Sequence, residues 1–350
     1  LIPVFGLLMI GDGSLLEGLS VLTTENPEKF KSMGGPTDPV PFYTIFTGMM
    51  LVQLFYWGTN QQIIQRALGA KDLKEGQKGL LLASFIKILG PIIVVLPGII
   101  AFHLFQGNLE SADSAYPMLV KKVLPTAWVG FFAAVLFGAI LSSFNSVLNS
   151  SVTLFGIDVY KQHINKEADE KTIVKYGKIF GVVLAIAAMF IAPLIANAGS
   201  LFDYLQEING IYSIPILTII VVGYLTKRVP AIAAKIGLAS GCLLYIASQF
   251  FMQPYFVSNA LKLAKDNGIT DEAALALIES QAYPHFLDIM ALLFILNLGI
   301  MLLIGKLYPR KEEFVQEHTK QVDITPWKYT TQAGIAICVI VIGIYIYFAK

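Results

Sequence analysis

Residues 123–157 read VLPTAWVGFFAAVLFGAILSSFNSVLNSSVTLFGI, thirty-five positions without one acidic or basic side chain. A helix that spans a bilayer needs about 20 mostly apolar residues. This run is therefore too long for one untilted span and is expected to overshoot the membrane. It also carries Ser142, Ser143, Asn145, Ser146 and Asn149, a polar stripe expected to face protein rather than lipid.

Seven further charge-free runs extend the pattern: Pro41–Gln65, Ile88–Asn108, Ile179–Phe202, Ile208–Thr226, Ile236–Leu261, Ile289–Gly305 and Tyr329–Ala349. None alternates with period two for long, which argues against a membrane β-barrel. The expectation is an all-α integral membrane protein with about eight complete transmembrane helices. Leu1–Ile10 is also apolar and lacks the basic flank of a signal peptide. It reads as the tail of a ninth helix, which makes the chain, in this reading, the N-terminally truncated C-terminal portion of a larger protein.

Composition agrees. Hydrophobic residues make up 55% of the 350 positions and charged residues only 14%, against about 25% charged in a soluble chain; mean hydropathy is +0.66. Twenty-five Lys and Arg against 24 Asp and Glu leave a net charge of +1, with no basic stripe of the kind nucleic acid requires. Cys242 and Cys338 both lie inside apolar runs, so no disulfide framework is expected.

The cations are unevenly distributed. The connections Arg66–Lys87, Asp158–Lys178, Lys227–Lys235 and Lys306–Lys328 hold 18 of the 25 Lys and Arg. Cytoplasmic loops are enriched in these residues, so this alternate set is expected inside, with the Gly11–Val40 loop and the C-terminus outside. Among the outer connections, Thr270-Asp-Glu before an Ala/Leu-rich stretch reads as a capped surface helix, and Gly107–Pro125 has room for another.

Polar groups within spans are costly and are the first place to look for function. Ala139, Ser142 and Ser143 stand at i, i+3 and i+4 and so share one helix face. Two hydroxyls and a main-chain carbonyl suit an alkali cation, whereas calcium or magnesium would call for carboxylates. The same residues also suit close helix packing with the serines bonded back to their own helix. In Gln53-Leu-Phe-Tyr56-Trp57-Gly58-Thr59-Asn60-Gln61-Gln62, aromatics meet a glycine and then amides. That pattern fits either an interrupted helix lining a polar cavity or an interfacial aromatic belt. Lys87 and Gln206-Glu207 flank apolar runs, as snorkelling flanks or as hydroxyl-bonding groups.

The four histidines, His103, His163, His285 and His318, are scattered without metal spacing. Gly11-Asp12-Gly13 is a turn by default. Zinc-protease, nucleophile-elbow and phosphate-loop motifs are absent, as are the paired intramembrane ionisable residues of an intramembrane enzyme. Nothing supports an enzyme or an organic cofactor.

Four segments together resemble the sodium/solute symporters, in the sodium–glucose cotransporter branch. They are Tyr56-Trp-Gly-Thr-Asn-Gln-Gln-Ile-Ile-Gln-Arg66; Lys87 followed by Pro91–Gly98; Ser142-Ser143 leading to Asn149-Ser and Asp158-Val-Tyr160; and Tyr204-Leu-Gln-Glu207. The resemblance implies an inverted-repeat fold with broken helices, solute near the midplane and alternating access. On that basis residues 1–10 end a truncated helix, 11–40 form an extracellular or periplasmic loop, 41–226 form the second repeat half, and 227–350 are peripheral helices. It implies that Tyr56 covers the sugar with Gln53 and Trp57 beside it, and that Lys87 and Gln206 bond sugar hydroxyls. Ala139, Ser142 and Ser143 would hold sodium as the coupling ion. The implied protein is a sodium–sugar symporter of the plasma or inner membrane. Gln53 departs from the Asn of bacterial sugar transporters, which keeps inositol, sialic acid or another small polar solute as alternatives, and Asn145 departs from the hydroxyl of a second sodium site in some relatives. A non-transporting sodium and solute sensor would share the same pocket.

Overall fold

The computed structural model describes the chain except Thr37, Pro39, Gly107, Glu110, residues 196–200, residues 316–321 and Lys350. His318 and the middle of the Lys306–Lys328 connection therefore lie outside the described residues, as do residues 196–200 of the run expected at Ile179–Phe202, whose last two residues open the next helix. Among the described residues there are helices and no strands. Six stretches are long and apolar enough to cross a bilayer, and two bent helix pairs could each supply one more. This is an all-α, multi-pass membrane protein.

The chain divides into two compact units: Leu1–Lys31, Gln65–Leu201 and Ile324–Lys350 form the first, and Ser32–Ile64 with Phe202–Asp323 the second. In the first unit, α1 (Ile2–Ile10) turns back into α2 (Leu15–Glu25) at an angle of 78°. Asp12 and Gly13 make the reversal at φ 46° and 97°, a backbone region that glycine enters without steric cost. Ser14 then caps α2 by accepting from the Glu17 amide (3.3 Å). Residues 11–40, expected as a connection, thus carry a helix. Helices α1 and α2 pack with α6 (Leu96–Phe105) and α7 (Ala115–Val123) around Ile2, Leu22, Ile100 and Leu119, all nearly inaccessible.

The charged stretch Arg66–Lys87, expected as a loop, is largely helical. It contains the end of α4 (Gln61–Leu68) and all of α5 (Leu73–Lys87), capped by Asp72. A wide turn at Pro91–Val95 joins α5 to α6, with a bend of 41°. Pro91 supplies no N–H for a regular turn, and such bends arise at prolines and π-bulges. Helix α8 (Thr126–Leu154) continues through wide turns to Ile164, giving a 39-residue rod, the overshoot expected from its length. It packs on α9 (Glu170–Ile195) through stacked Phe155–Phe180 and Tyr160–Tyr176 rings, with centroids 4.1 and 4.5 Å apart. Helix α15 (Thr330–Tyr347) docks on α5, where Gln77 Oε1 accepts from the Trp327 amide (2.7 Å) and the Thr330 hydroxyl (2.8 Å).

In the second unit, the run expected as one span at Pro41–Gln65 is not one helix. A tight turn at Phe42–Phe46 precedes α3 (Gly48–Gly58), Thr59 and Asn60 break the helix, and α4 follows. Helix α3 packs with α10 (Leu201–Leu225), α11 (Ala231–Ile246) and α14 (Phe286–Leu307) around Val52, Ile214, Tyr245, Leu287 and Met290. Helix α11 runs through a wide turn into α12 (Gln253–Asp266). The expected surface helix is α13 (Glu272–Ala282), capped by Asp271 of the Thr270-Asp-Glu stretch, with Asp271 Oδ2 accepting from the Ala274 amide (2.9 Å).

Gly48 permits the closest approach in this unit: a Cβ added there would overlap the Leu287 carbonyl. Gly223, in α10, has open space around its Cβ position. Overpacking of a tight contact costs about 1–3 kcal/mol, whereas alanine in an open helix position is favoured over glycine by about 1 kcal/mol. Gly48→Ala should therefore lower the melting temperature of the full-length protein in detergent, and Gly223→Ala should not. Equal melting curves for the two variants would contradict the α3–α14 contact.

Candidate functional site

The two candidate clusters grow from two local features, an interrupted helix and a serine-rich helix. In the second unit, Thr59 ends α3: its amide and hydroxyl both bond the Phe55 carbonyl, at 2.9 and 2.8 Å. The Asn60 amide reaches the same carbonyl (3.0 Å), and Asn60 Oδ1 accepts from the Gln62 amide (3.0 Å) to start α4. The break is thus satisfied by local side chains, which is what irregular backbone at membrane depth requires. The interruption read from Tyr56–Gln62 is present.

Just before the break, Gln53, Tyr56 and Trp57 form one group. Trp57 Nε1 donates to Gln53 Oε1 (2.9 Å), and the Tyr56 and Trp57 rings meet edge to face at 5.1 Å. Phe55 anchors this turn in the core and meets Tyr212 of α10 edge to face at 5.8 Å. Gln53 and Trp57 are exposed, and Tyr56 is half-buried. The arrangement offers a flat aromatic surface edged by an amide, able to cover an apolar ring face and bond hydroxyls at its rim. Gln206 lies half-buried near the start of α10 in the same unit.

The cation candidates lie in the first unit. Ala139, Ser142 and Ser143 occupy an exposed stretch of α8. Further along this helix, hydroxyls bond the carbonyl four residues back: Ser146 to Ser142 (2.9 Å), Ser150 to Ser146 (3.0 Å), Ser151 to Val147 (3.0 Å) and Thr153 to Asn149 (2.8 Å). Ser142 and Ser143 make no such bond among the described residues. The bland explanation for helical serines, bonding to their own backbone, thus accounts for their neighbours and not for this pair. Lys87 closes α5 in the same unit. The candidate set is therefore divided, with Ala139, Ser142, Ser143 and Lys87 in one unit and Gln53, Tyr56, Trp57 and Gln206 in the other.

A further group was not legible in the sequence. Gln65 Nε2 donates to the Ser146 carbonyl (3.3 Å), Asn149 Nδ2 donates to Gln65 Oε1 (3.3 Å), and Arg66 Nη2 donates to Ser146 Oγ. These partners are separated by some 80 positions, and no local pattern signals the pairing. Among the described residues, no group of three or more His, Cys, Asp or Glu is arranged to hold a metal, so any ion here rests on neutral oxygens.

A family model described as the sodium:solute symporter family matches residues 6–241. The chain is 43% identical to the uncharacterized symporter YidK of Escherichia coli (strain K12) over 346 residues, 99% of this chain and 56% of that protein. It is 35% identical to the sodium/glucose cotransporter of Vibrio parahaemolyticus over 251 residues, 66% of this chain and 46% of that one. It is also 33% identical to the sodium/myo-inositol cotransporter 2 of Homo sapiens over 226 residues, 59% and 33% respectively. All three are named as transporters rather than enzymes, and the chain spans between a third and just over half of their lengths.

The Asn60 cap carries its own consequence. Losing an N-cap side chain costs about 1 kcal/mol, so Asn60→Ala should speed amide hydrogen exchange in peptides covering Gln62–Gln65 of the full-length protein. Unchanged exchange there would mean that α4 does not depend on the cap.

Proposed function

The chain belongs to the sodium:solute symporter family, and on that premise we propose that the full-length protein couples inward sodium flow to uptake of a hexose-like sugar or cyclic polyol. The observation that carries the reading is the pair of unspent hydroxyls, Ser142 and Ser143, beside the Ala139 carbonyl on a helix whose next hydroxyls are already engaged. Hard neutral oxygens suit a monovalent cation. Tyr56 and Trp57, edged by the Gln53 amide, supply the matching chemistry for a ring with hydroxyl rims, with Lys87 and Gln206 as further hydroxyl partners. The names of the relatives, sodium/glucose and sodium/myo-inositol cotransporters, support the same two solute classes.

In this mechanism no covalent step and no organic cofactor is needed. Sodium on Ala139, Ser142 and Ser143 favours the outward-facing conformation, which is also the one that takes solute. Each ligand then raises the affinity of the other by the same factor, and dissipating the sodium gradient drives accumulation. Residues 41–226 serve as the second inverted-repeat half and 227–350 as peripheral helices of a cell-membrane protein. The cation-rich connections lie inside and the C-terminus outside. A non-transporting sensor would bind both ligands without accumulation.

The test is radiolabelled uptake into vesicles carrying the full-length protein, with glucose, galactose, myo-inositol and sialic acid, in sodium and then in potassium. Accumulation of a sugar or inositol in sodium alone is expected; binding without accumulation would identify a sensor, and accumulation of sialic acid instead would displace the hexose or polyol assignment. Ser143→Ala should raise the sodium concentration for half-maximal uptake about tenfold or more, at least the scale on which losing a partner behind a ligand acts, and unchanged sodium dependence would remove Ser143 from the site. Tyr56→Ala, Lys87→Ala and Gln206→Ala should raise the solute concentration required more than the sodium concentration. The reverse pattern would contradict their solute role.

A further inference from the structure

Residue Ser146 spends every polar group it has. Its Oγ donates to the Ser142 carbonyl (2.9 Å) and accepts from Arg66 Nη2, while its own carbonyl accepts from Ser150 Oγ (3.0 Å) and from Gln65 Nε2 (3.3 Å). Gln65 is fixed in turn by Asn149 Nδ2, which donates to Gln65 Oε1 (3.3 Å). The Gln65 amide therefore spans positions i and i+3 of α8, and Arg66 Nη2 holds the hydroxyl of the first of them. All six residues belong to the first unit.

Gln65 and Arg66 lie on α4, at the start of the cation-rich connection, where hydrogen bonds from a charged or amide side chain fix geometry as well as add energy. Here they meet the helical turn that begins at Ser142 and Ser143. Positions four apart on a helix lie about 5–6 Å from one another, so the Arg66 contact sits one turn below the proposed sodium oxygens and too far away to be a ligand. Its hydrogen bond instead passes through Ser146 Oγ to the carbonyl of Ser142.

We infer that Gln65 and Arg66 form a clasp on α8 that sets the rotamers and backbone of the 142–146 turn, and so act as positioning residues for the sodium site. This rests on the sodium assignment of Ala139, Ser142 and Ser143 and adds the residues that hold it in shape. Partners that orient ion ligands typically govern affinity by about 10- to 100-fold without touching the ion. Ser151 supplies an internal comparison: it bonds back to Val147 (3.0 Å) as Ser146 does to Ser142, but takes no part in the clasp.

The test is equilibrium binding of radiolabelled sodium to the purified full-length protein in nanodiscs, with melting temperature recorded for each variant. R66A and S146A should each raise the half-saturating sodium concentration about tenfold, R66K less than R66A, and S151A not at all. The double variant R66A/S146A should bind no more weakly than the weaker single variant, because both remove one contact. S146A and S151A behaving alike, or additive losses in the double variant, would overturn the clasp as a purely structural contact. S143A impaired beside R66A and S146A at wild-type half-saturation would overturn the clasp alone. Wild-type binding by S143A would overturn the sodium assignment, and the clasp with it.

Discussion

Every backbone N–H and C=O within the bilayer has to find a partner inside the protein, because lipid offers none. That constraint forces continuous helix wherever the chain can form it, and makes each departure from helix conspicuous. After Gly58 the departure is covered by Thr59 and Asn60, whose side chains and amides take up the Phe55 carbonyl and the Gln62 amide of α4. At Pro91–Val95 it takes the form of a wide turn between α5 and α6. On α8 the hydroxyls from Ser146 to Thr153 fold back onto their own carbonyls, and among the described residues Ser142 and Ser143, just before them, make no such bond and stand out as available oxygens. Binding chemistry in such a protein is found where the backbone rule has been met and polar groups remain.

The two clusters differ in what they can attract. Around Tyr56 and Trp57 the surface is broad, aromatic and edged by an amide, which suits a ring larger than water and smaller than a peptide. Around Ala139, Ser142 and Ser143 the donors are small neutral oxygens, which suit a bare monovalent ion. A symporter needs both and needs a conformational equilibrium that each ligand biases in the same direction. The Gln65 and Arg66 contacts to Ser146 bear on the proposed ion site because they meet the turn that begins at Ser142 and Ser143, from positions that follow Trp57 by only eight and nine residues.

Much of this was legible in the sequence, and for identifiable reasons. The 35-residue run at 123–157 announced a rod longer than a bilayer, and α8 with its extension is that rod. Aromatics followed by glycine and amides announced the break after Gly58. Thr270-Asp-Glu announced α13, and Asp271 of that tripeptide is its cap. What escaped was helix hidden by charge or by brevity. Arg66–Lys87 was read as a connection because its Lys and Glu residues outweigh an apolar face that packs on α15, and α2 was missed because a sharp reversal at Asp12 and Gly13 makes a short amphipathic helix look like loop. Pro41–Gln65 counted as one span because hydropathy does not register the breaks at Thr47 and Thr59. The clasp was invisible because its partners meet only through tertiary packing.

Reciprocal linkage tests the central claim most directly. In nanodiscs holding the full-length protein, sodium affinity is measured with and without saturating glucose or myo-inositol, and the affinity for that solute is measured with sodium and with potassium. Coupled symport predicts that one solute raises sodium affinity by some factor within about 5- to 150-fold, and that sodium raises the affinity for that solute by the same factor. Sodium affinity unaltered at every solute concentration would contradict it.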